Sequence, residues 1–495
     1  MNLTLLLDMA ADGFGDRVMV GPRADGITAA RLRALASGGA SVVTEQGADS
    51  IVYLAVNGPA FPVALFAASL AGVPLVPVNY RLGSEQLDHL LNQHPKAYAI
   101  ADLEQHDALV RNGLTGVTPE AWLAAAAAGT PIAEPVETDA AAVVIYTSGT
   151  TSAPKGVLLR HSNLVSYVFG TVDFMSADDT DASLISVPPY HIAAVANVIS
   201  NLYAGRRLMT LESFTPEQWL HLVRTEGVTN ALVVPTMLSR IIDADVDHEV
   251  PSLRTLAYGG AAMPAPVIER ALSLWPSVDF VNAYGLTETS STISVLGPED
   301  HRAAIASDDP AVRARLGSAG KVVPTIELEV RDEHGGVVAP GVVGRIFVRG
   351  DQVSGEYAGS GPAVDEHGFF DTRDEGLVDA DGYLFIKGRA DDTIIRGAEN
   401  IAPAEIEAVL LEHSAVSDVA VIGVPDDEWG QRIEAVVVFT AARTATEDEL
   451  RSHCRERLRG SKTPDRVHVW PELPRTETGK LVRRHVVEQV LAERS

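Results

Sequence analysis

Residues 146–156 read YTSGTTSAPKG, with AAVVI immediately before them (141–145) and VLL immediately after (157–159). The flanking apolar runs have the length of buried strands. Between them, five hydroxyls (Thr147, Ser148, Thr150, Thr151 and Ser152) surround Gly149, and Lys155 follows near the end. Small residues let backbone amides approach an anion, hydroxyls donate further hydrogen bonds, and the lysine adds a cation. Such a loop suits a polyphosphate. A Walker A loop needs Gly-Lys-Ser/Thr, and Pro154-Lys155-Gly156 stands there instead. The bland alternative, a Ser/Thr/Gly surface turn, fits an arbitrary loop of this composition better than one launched from a buried strand.

Outward from this loop the chain keeps a βαβ rhythm. IVYLAV (51–56) reads as a buried strand, FPVALFAASLAG as a helix ending at Gly72, PLVPVN as the next strand, then a helix from Ser84 and the strand AYAIAD. The rhythm returns through ISVPPY, a helix after Thr215, ALVVPT, TLAYGG and VDFVNAYG. Alternation of this kind predicts parallel sheet covered by helices. From about 322 to 387 the pattern changes to short strands (IELEV, GRIFVRG, GYLFIKG) with Gly- and Asp-rich turns, a small antiparallel β-subdomain. After GRADD (388–392) the chain restarts with a helix at 403–412, strands at 418–424 and 433–440, a helix at 447–458 and a last helix from Leu481. The fold class expected is therefore α/β: a large N-terminal domain (1–390) of parallel-rich sheets with helices and the β-subdomain, and a small, mobile α+β C-terminal domain (391–495).

Composition narrows the function. The formal net charge of -27 argues against a nucleic-acid partner, whose phosphates require a basic surface. The single cysteine, Cys454, permits no internal disulfide and fits a cytoplasmic location. It lies in the charged stretch EDELRSHCRERL and reads as a bystander. No apolar run is long enough to span a bilayer, and MNLTLLLDMAADGFG, with an early Asp8 and no basic leader, reads as an amphipathic helix rather than a signal peptide.

Further segments carry chemistry in a fixed order: VPVNYRLGSEQL (76–87), PPYHIAAV (188–195), YGGAAMP (258–264), NAYGLTET (282–289), TRDEG (372–376), GRADDTIIRGAENIAPAEIE (388–407) and PRTETGK (474–480). Together with the hydroxyl loop they resemble the adenylate-forming superfamily, which includes acyl-CoA and aryl-CoA synthetases, nonribosomal-peptide adenylation domains and firefly-type luciferases. The resemblance covers essentially the whole chain, and the ordered series makes it specific.

It implies ATP, Mg²⁺ and coenzyme A as ligands, and an acid–CoA ligase acting through an acyl-adenylate. Thr147, Ser148, Gly149, Thr150, Thr151 and Lys155 would cradle phosphates. Gly259, Gly260, Ala261 and Ala262 would face the adenine. Tyr284 would stack on it, with Asn282 at its amino edge and Gly285 beside them. Thr287 would meet the α-phosphate, and Glu288 is a hard oxygen ligand suited to Mg²⁺. Asp374 would grip the ribose hydroxyls, with Arg389 nearby. Lys480 would bridge carboxylate and α-phosphate as charge gathers at phosphorus. Alone, Glu288, Asp374, Arg389 and Lys480 would each read as solvated surface charges, and His191 as a satisfied strand-end histidine.

The acid channel is expected among His191, Ala193, Ala194, Val195, Val234, Met237, Gly259 and Ala262, mostly small or apolar. That favours a fatty acid or a bulky aryl or polycyclic acid. A hinge is placed at Asp391, and Ala398, Glu399, Arg459 and Lys462 are expected on the CoA side. Three departures from the family pattern stand out: Ser152 and Ala398 replace glycines, and Arg373 replaces the glycine of Thr-Gly-Asp. The stretch 351–370 is also atypical. Three rivals are left open: a ligase loading a carrier protein, a luciferase-like oxygenase, and a binding protein that has lost catalysis. A homodimer is compatible with any of them.

Overall fold

The computed structural model describes residues 1–132, 134–147, 154–396, 399–426, 429–441, 443–458, 460–476 and 479–493. Two large sheets enclose a shared apolar core. In the first, the strands Leu75–Pro77, Ser50–Leu54, Ala97–Ala101 and Gly116–Val117 run parallel to one another and to Val143–Thr147. Beyond Val143–Thr147 the direction reverses: Lys155–Leu159 pairs antiparallel with it, and Tyr357 pairs antiparallel with Val157. The two strands that flank the hydroxyl-rich segment in the chain are therefore antiparallel neighbours.

The second sheet has nine strands, and its middle is parallel: Asp279–Leu286, Thr255–Gly259, Asn230–Val233, Ala182–Ile185, Arg207–Thr210 and Val18–Val20. The expected βαβ rhythm is realised with one shift. The strand expected at ISVPPY ends at Ile185, because Pro188 and Pro189 carry no amide hydrogen for a ladder. His191 consequently falls at the N-terminus of the Ile192–Ala204 helix instead of on a strand.

Helices fill the space between the sheets. Ala60–Ala71 is buried at every position and stops at Gly72, whose φ of 71° suits glycine. Thr4–Phe14 buries Thr4, Leu6, Leu7, Ala10 and Phe14, a three-and-four spacing that turns one face inward. Thr215 caps Pro216–Thr225 by accepting the Gln218 amide, with proline in the first turn.

The strands Glu327–Arg331, Gly344–Arg349, Phe370–Val378 and Leu384–Arg389 form an antiparallel sheet over Ile293, Ile346, Phe370 and Leu384. Further along, Val416–Asp426, Gly430–Phe439 and Arg466–Val469 make a three-stranded sheet. Its two faces bury separate clusters, one with Ile406, Leu410 and Leu450, the other with Val486, Val490 and Trp470. Cys454 is buried in the Glu447–Arg457 helix, and burial pushes its thiol up to about 11, far from a reactive thiolate. Among the described residues no helix is long and apolar enough to cross a membrane.

Candidate active site

The Asp279–Leu286 strand ends in a single tight turn, Thr287–Thr289. This turn carries Glu288. The Tyr357 hydroxyl donates to the Glu288 carboxylate at 2.8 Å, and the Glu288 carbonyl accepts the Ser354 amide at 2.8 Å. Gln352, buried, donates to the carbonyls of Thr289 and Thr292 at 3.0 and 2.9 Å. Arg160 pairs with Glu356 at 2.8 Å. The stretch 351–357, unusual in sequence, thus stitches the strand after the hydroxyl loop to the Glu288 turn. Tyr357 is the residue that sequence reasoning missed. Its only signal was a tyrosine inside a segment that matched nothing.

Lys155 leaves the hydroxyl loop with its ammonium 5.8 Å from the centre of the Tyr357 ring, inside cation–π range. Thr147 closes the same hairpin opposite Lys155. Ser148, Gly149, Thr150, Thr151 and Ser152 lie outside the described residues, as do Ala398 and Arg459 and the side chains of Asp391 and Glu399.

Deeper in, the Tyr284 hydroxyl donates to Asp374 at 2.5 Å, joining residues 90 positions apart. Asp374 is buried, and its remaining oxygen lies 3.6 Å from the Arg389 guanidinium. Burial raises the Asp374 pKa, opposed by the Tyr284 hydrogen bond and by the charges of Arg389 and Lys480. Burial also raises Tyr284, with Asp374 adding to it, so the phenol keeps its proton and stays a donor. Asn282 gives its amide hydrogen to the Ser318 carbonyl at 2.9 Å. Its amide oxygen, an acceptor, is the atom suited to an amino group.

Lys480 arrives from the far end of the chain. It sits on a turn in which Thr476 receives the Gly479 amide at 2.7 Å and the Lys480 amide at 3.0 Å. Arg475 clamps that turn, donating to the Gly479 carbonyl at 2.6 Å and to Asp418 at 2.5 Å. Lys480 is exposed, yet protein crowds its ammonium. This crowding lowers its pKa, Arg389 lowers it further, and Asp374, Asp392 and Glu288 oppose the shift. The same ammonium acts on His191, whose pKa falls to about 4 through burial first and Lys480 second. His191 is therefore neutral near pH 7. Glu288, Asp374, Arg389, His191 and Lys480 share one electrostatic environment.

The channel candidates are less uniformly placed. Met237 faces a cleft of about 730 Å³ together with Asn57, Tyr80, Ser186, Arg240 and Thr476. Ala194 and Val195 have no exposed surface, and Val234 is buried. Gly259 leaves no room for a side chain, since a Cβ there would lie 2.3 Å from the Ala283 carbonyl oxygen. Gly260 and Ala262 are exposed and Ala261 half-buried. Lys462 donates to Glu405 at 2.6 Å and is neutralised locally.

Known proteins resemble this chain over most of its length. Residues 7–358 match the AMP-binding enzyme family, and residues 405–480 match the AMP-binding enzyme C-terminal domain. A feruloyl-CoA synthase of Amycolatopsis sp is 36% identical over 467 residues, covering 92% of this chain and 91% of that one. A 2-succinylbenzoate–CoA ligase of Bacillus cereus is 32% identical over 460 residues, covering 91% and 90%. The o-succinylbenzoate CoA synthetase (MenE) of Bacillus subtilis has been solved with its acyl-adenylate intermediate OSB-AMP and with ATP and magnesium ion. Against these the chain has a TM-score of 0.85 in each case at 28% identity, covering 97% of both chains and 98% and 99% respectively. Fold and site define an adenylate-forming acid–thiol ligase of the acyl-CoA synthetase type. The chain belongs to the AMP-binding enzyme family.

Proposed function

We propose that this enzyme activates a hydrophobic aryl carboxylic acid with ATP and passes the acyl group to coenzyme A. In the first half-reaction the carboxylate attacks the α-phosphorus, and pyrophosphate leaves with the bridging oxygen's electron pair. In the second, the thiol of CoA attacks the acyl carbon and AMP leaves. The observation that carries the reading is that Lys480, from the far end of the chain, shares one electrostatic environment with Glu288, Asp374 and Arg389. A cation brought there from a distant turn has one evident use, neutralising charge that builds at phosphorus.

The site residues would share the work as follows. Asp374, bound by the Tyr284 hydroxyl and beside Arg389, would accept from the ribose hydroxyls. Thr287 and the hydroxyl loop hold phosphate oxygens, with Lys155 as their counter-ion. Glu288 would hold Mg²⁺. This ion needs few protein carboxylates where nucleotide oxygens supply the rest. Bound there, Mg²⁺ supplies charge compensation to the phosphates. His191, neutral, borders the acyl group without repelling Lys480.

The chain divides near Asp391 into segments 1–390 and 391–495. Rotation about that point would withdraw Lys480 and bring Ala398 and Glu399 to the thiol path, with Arg459 and Lys462 toward the CoA phosphates. The acid is aryl rather than short and polar: feruloyl and succinylbenzoyl ligases are among the relatives, and Met237 borders the cleft. A carrier-protein thiol is the alternative acceptor, and a reducing cytoplasm fits the buried lone thiol. Pyrophosphate release with a panel of aryl and fatty acids, with and without CoA, tests the whole. CoA-dependent AMP release with an aryl acid supports it. Pyrophosphate release with no acyl-CoA product would redirect it to a carrier protein.

A further inference from the structure

We propose that Arg475 is a positioning residue for Lys480: paired with Asp418, it fixes the lysine turn in the place that acyl-adenylate formation requires. The inference rests on the adenylation reading above and deepens it.

The turn takes its shape from its own backbone. The Thr476 amide donates to the Lys480 carbonyl at 2.7 Å, and the Thr476 carbonyl accepts the Gly479 amide at 2.7 Å. The Thr476 hydroxyl accepts the Lys480 amide at 3.0 Å. These bonds close the turn without fixing where it stands. The residue just before it does that. Arg475 Nη1 donates to the Gly479 carbonyl at 2.6 Å, while Nε and Nη2 donate to the two oxygens of Asp418 at 3.0 and 2.5 Å. The paired bond uses the guanidinium fork, a geometry that a lysine cannot match. Asp418 lies in the Val416–Asp426 strand and pairs in register with Val438 of the Gly430–Phe439 strand. The lysine turn is thereby bolted to the central sheet of its own half. The Arg475 and Asp418 side chains keep only 28% and 31% exposure, so salt screens the pair less than it would an open surface pair.

Placement of the turn decides placement of the charge. Lys480 is exposed, and among the described residues its side chain makes no hydrogen bond or ion pair. Its ammonium is therefore located by the backbone beneath it. A reacting or stabilising group displaced by about 1 Å can lose a hundredfold in rate, so a cation carried on a turn needs that turn held. Gly479 is the point where two contacts converge. Its carbonyl accepts from Arg475, and its α-carbon lies against Thr236 of the other half. Arg475, Asp418, Gly479 and Thr236 border one cleft between the halves. The Arg475 fork thus links the sheet of the C-terminal half, through the residue before Lys480, to the helix that the turn meets.

The test uses Arg475→Gln, Arg475→Lys, Asp418→Asn and the double variant Arg475→Gln/Asp418→Asn in the full-length enzyme, with each half-reaction followed separately. Arg475→Gln should lower kcat for acyl-AMP formation about tenfold or more while KM for ATP and for the acid stays within about twofold, because the lysine is misplaced and the ground-state sites are untouched. Arg475→Lys, which keeps the charge and loses the fork, should recover only part of that loss. The double variant should lose no more than Arg475→Gln alone, since both changes break one link. Acyl transfer from supplied acyl-AMP to CoA should match wild type in all four, which a merely structural role would not allow. Wild-type acyl-AMP formation by Arg475→Gln would overturn the proposal, as would an equal loss in both half-reactions or full recovery in Arg475→Lys. A wild-type enzyme that forms acyl-AMP from no acid of the panel would overturn the adenylation reading, and the proposal with it.

Discussion

A Cβ placed on Gly479 would lie 2.3 Å from the Thr236 hydroxyl oxygen and 2.6 Å from its methyl carbon. Gly479 has φ 74° and precedes Lys480, while Thr236 opens the Pro235–Asp243 helix of the other half of the molecule. This contact seats the lysine turn against the acid-binding half. Gly479→Ala should therefore push the turn away, lowering acyl-AMP formation by roughly tenfold, the scale of a displaced electrostatic contact. Acyl transfer from supplied acyl-AMP should be spared. Thr236→Ala in the same chain should restore part of the loss. Absence of any rescue would mean that the contact does not set the orientation.

Lys480→Ala removes the cation without disturbing the turn, because Lys480 contributes its backbone to the turn and its side chain to the cleft. Acyl-AMP formation should fall by roughly a hundredfold or more. Thioester formation from supplied acyl-AMP and CoA should stay near the wild-type rate. Equal loss in both half-reactions would place Lys480 in general binding rather than in the chemistry at phosphorus.

Glu288→Ala should depress pyrophosphate release by orders of magnitude with the fold intact, since the metal both orients the phosphates and offsets their charge. Tyr357→Phe should do less. It removes one hydrogen bond to a charged carboxylate, a contribution of about 1.5–3 kcal/mol at most. The Mg²⁺ concentration for half-maximal rate should rise several-fold while the affinity for AMP holds. A Tyr357→Phe enzyme with ordinary Mg²⁺ dependence would detach this tyrosine from the metal site.

Two histidines give a pH signature. His161 and His191 both fall to about 4 from the ordinary 6.5, each chiefly through burial. His161 also accepts the Leu3 amide through Nδ1 at 3.2 Å. Between pH 6.5 and 4 the unfolded chain binds protons that the folded chain refuses. Stability therefore rises with pH across that window and is lost as pH falls through it. The thermal midpoint should drop on acidification below about pH 6.5. His191→Gln should flatten part of that slope. An identical slope in His191→Gln would show that His191 is not held neutral by the fold.

Much of the architecture was legible because the relevant signals are local. The apolar run at 60–71 closed by Gly72, and the proline after Thr215, each specify an element within a dozen residues. The strand misjudged at ISVPPY failed for an equally local reason, since two prolines cannot join a ladder. The apolar channel was harder. Ala194, Val195 and Gly259 have the right size for a lining, but burial and the Ala283 carbonyl occupy the space around them. Size in a sequence says nothing of which neighbour already fills the gap.

What the sequence alone determined is the order of strands and helices and the chemistry carried by each segment: hydroxyls and a lysine for phosphate, a carboxylate after a tight turn, a lysine near Gly479. These depend on periodicity, on proline and glycine, and on side-chain type, all of which act within a few positions. What only the tertiary structure decided is which of these groups meet. Tyr357 reaches Glu288 across 69 positions and Tyr284 reaches Asp374 across 90. The turn that carries Lys480 packs on Thr236, far away in the chain. The strained backbone at Arg373 exists only because Thr372 is anchored to a neighbouring strand. Such meetings arise from long-range packing, whose free energy is shared among many distant residues and leaves no periodic trace along the chain.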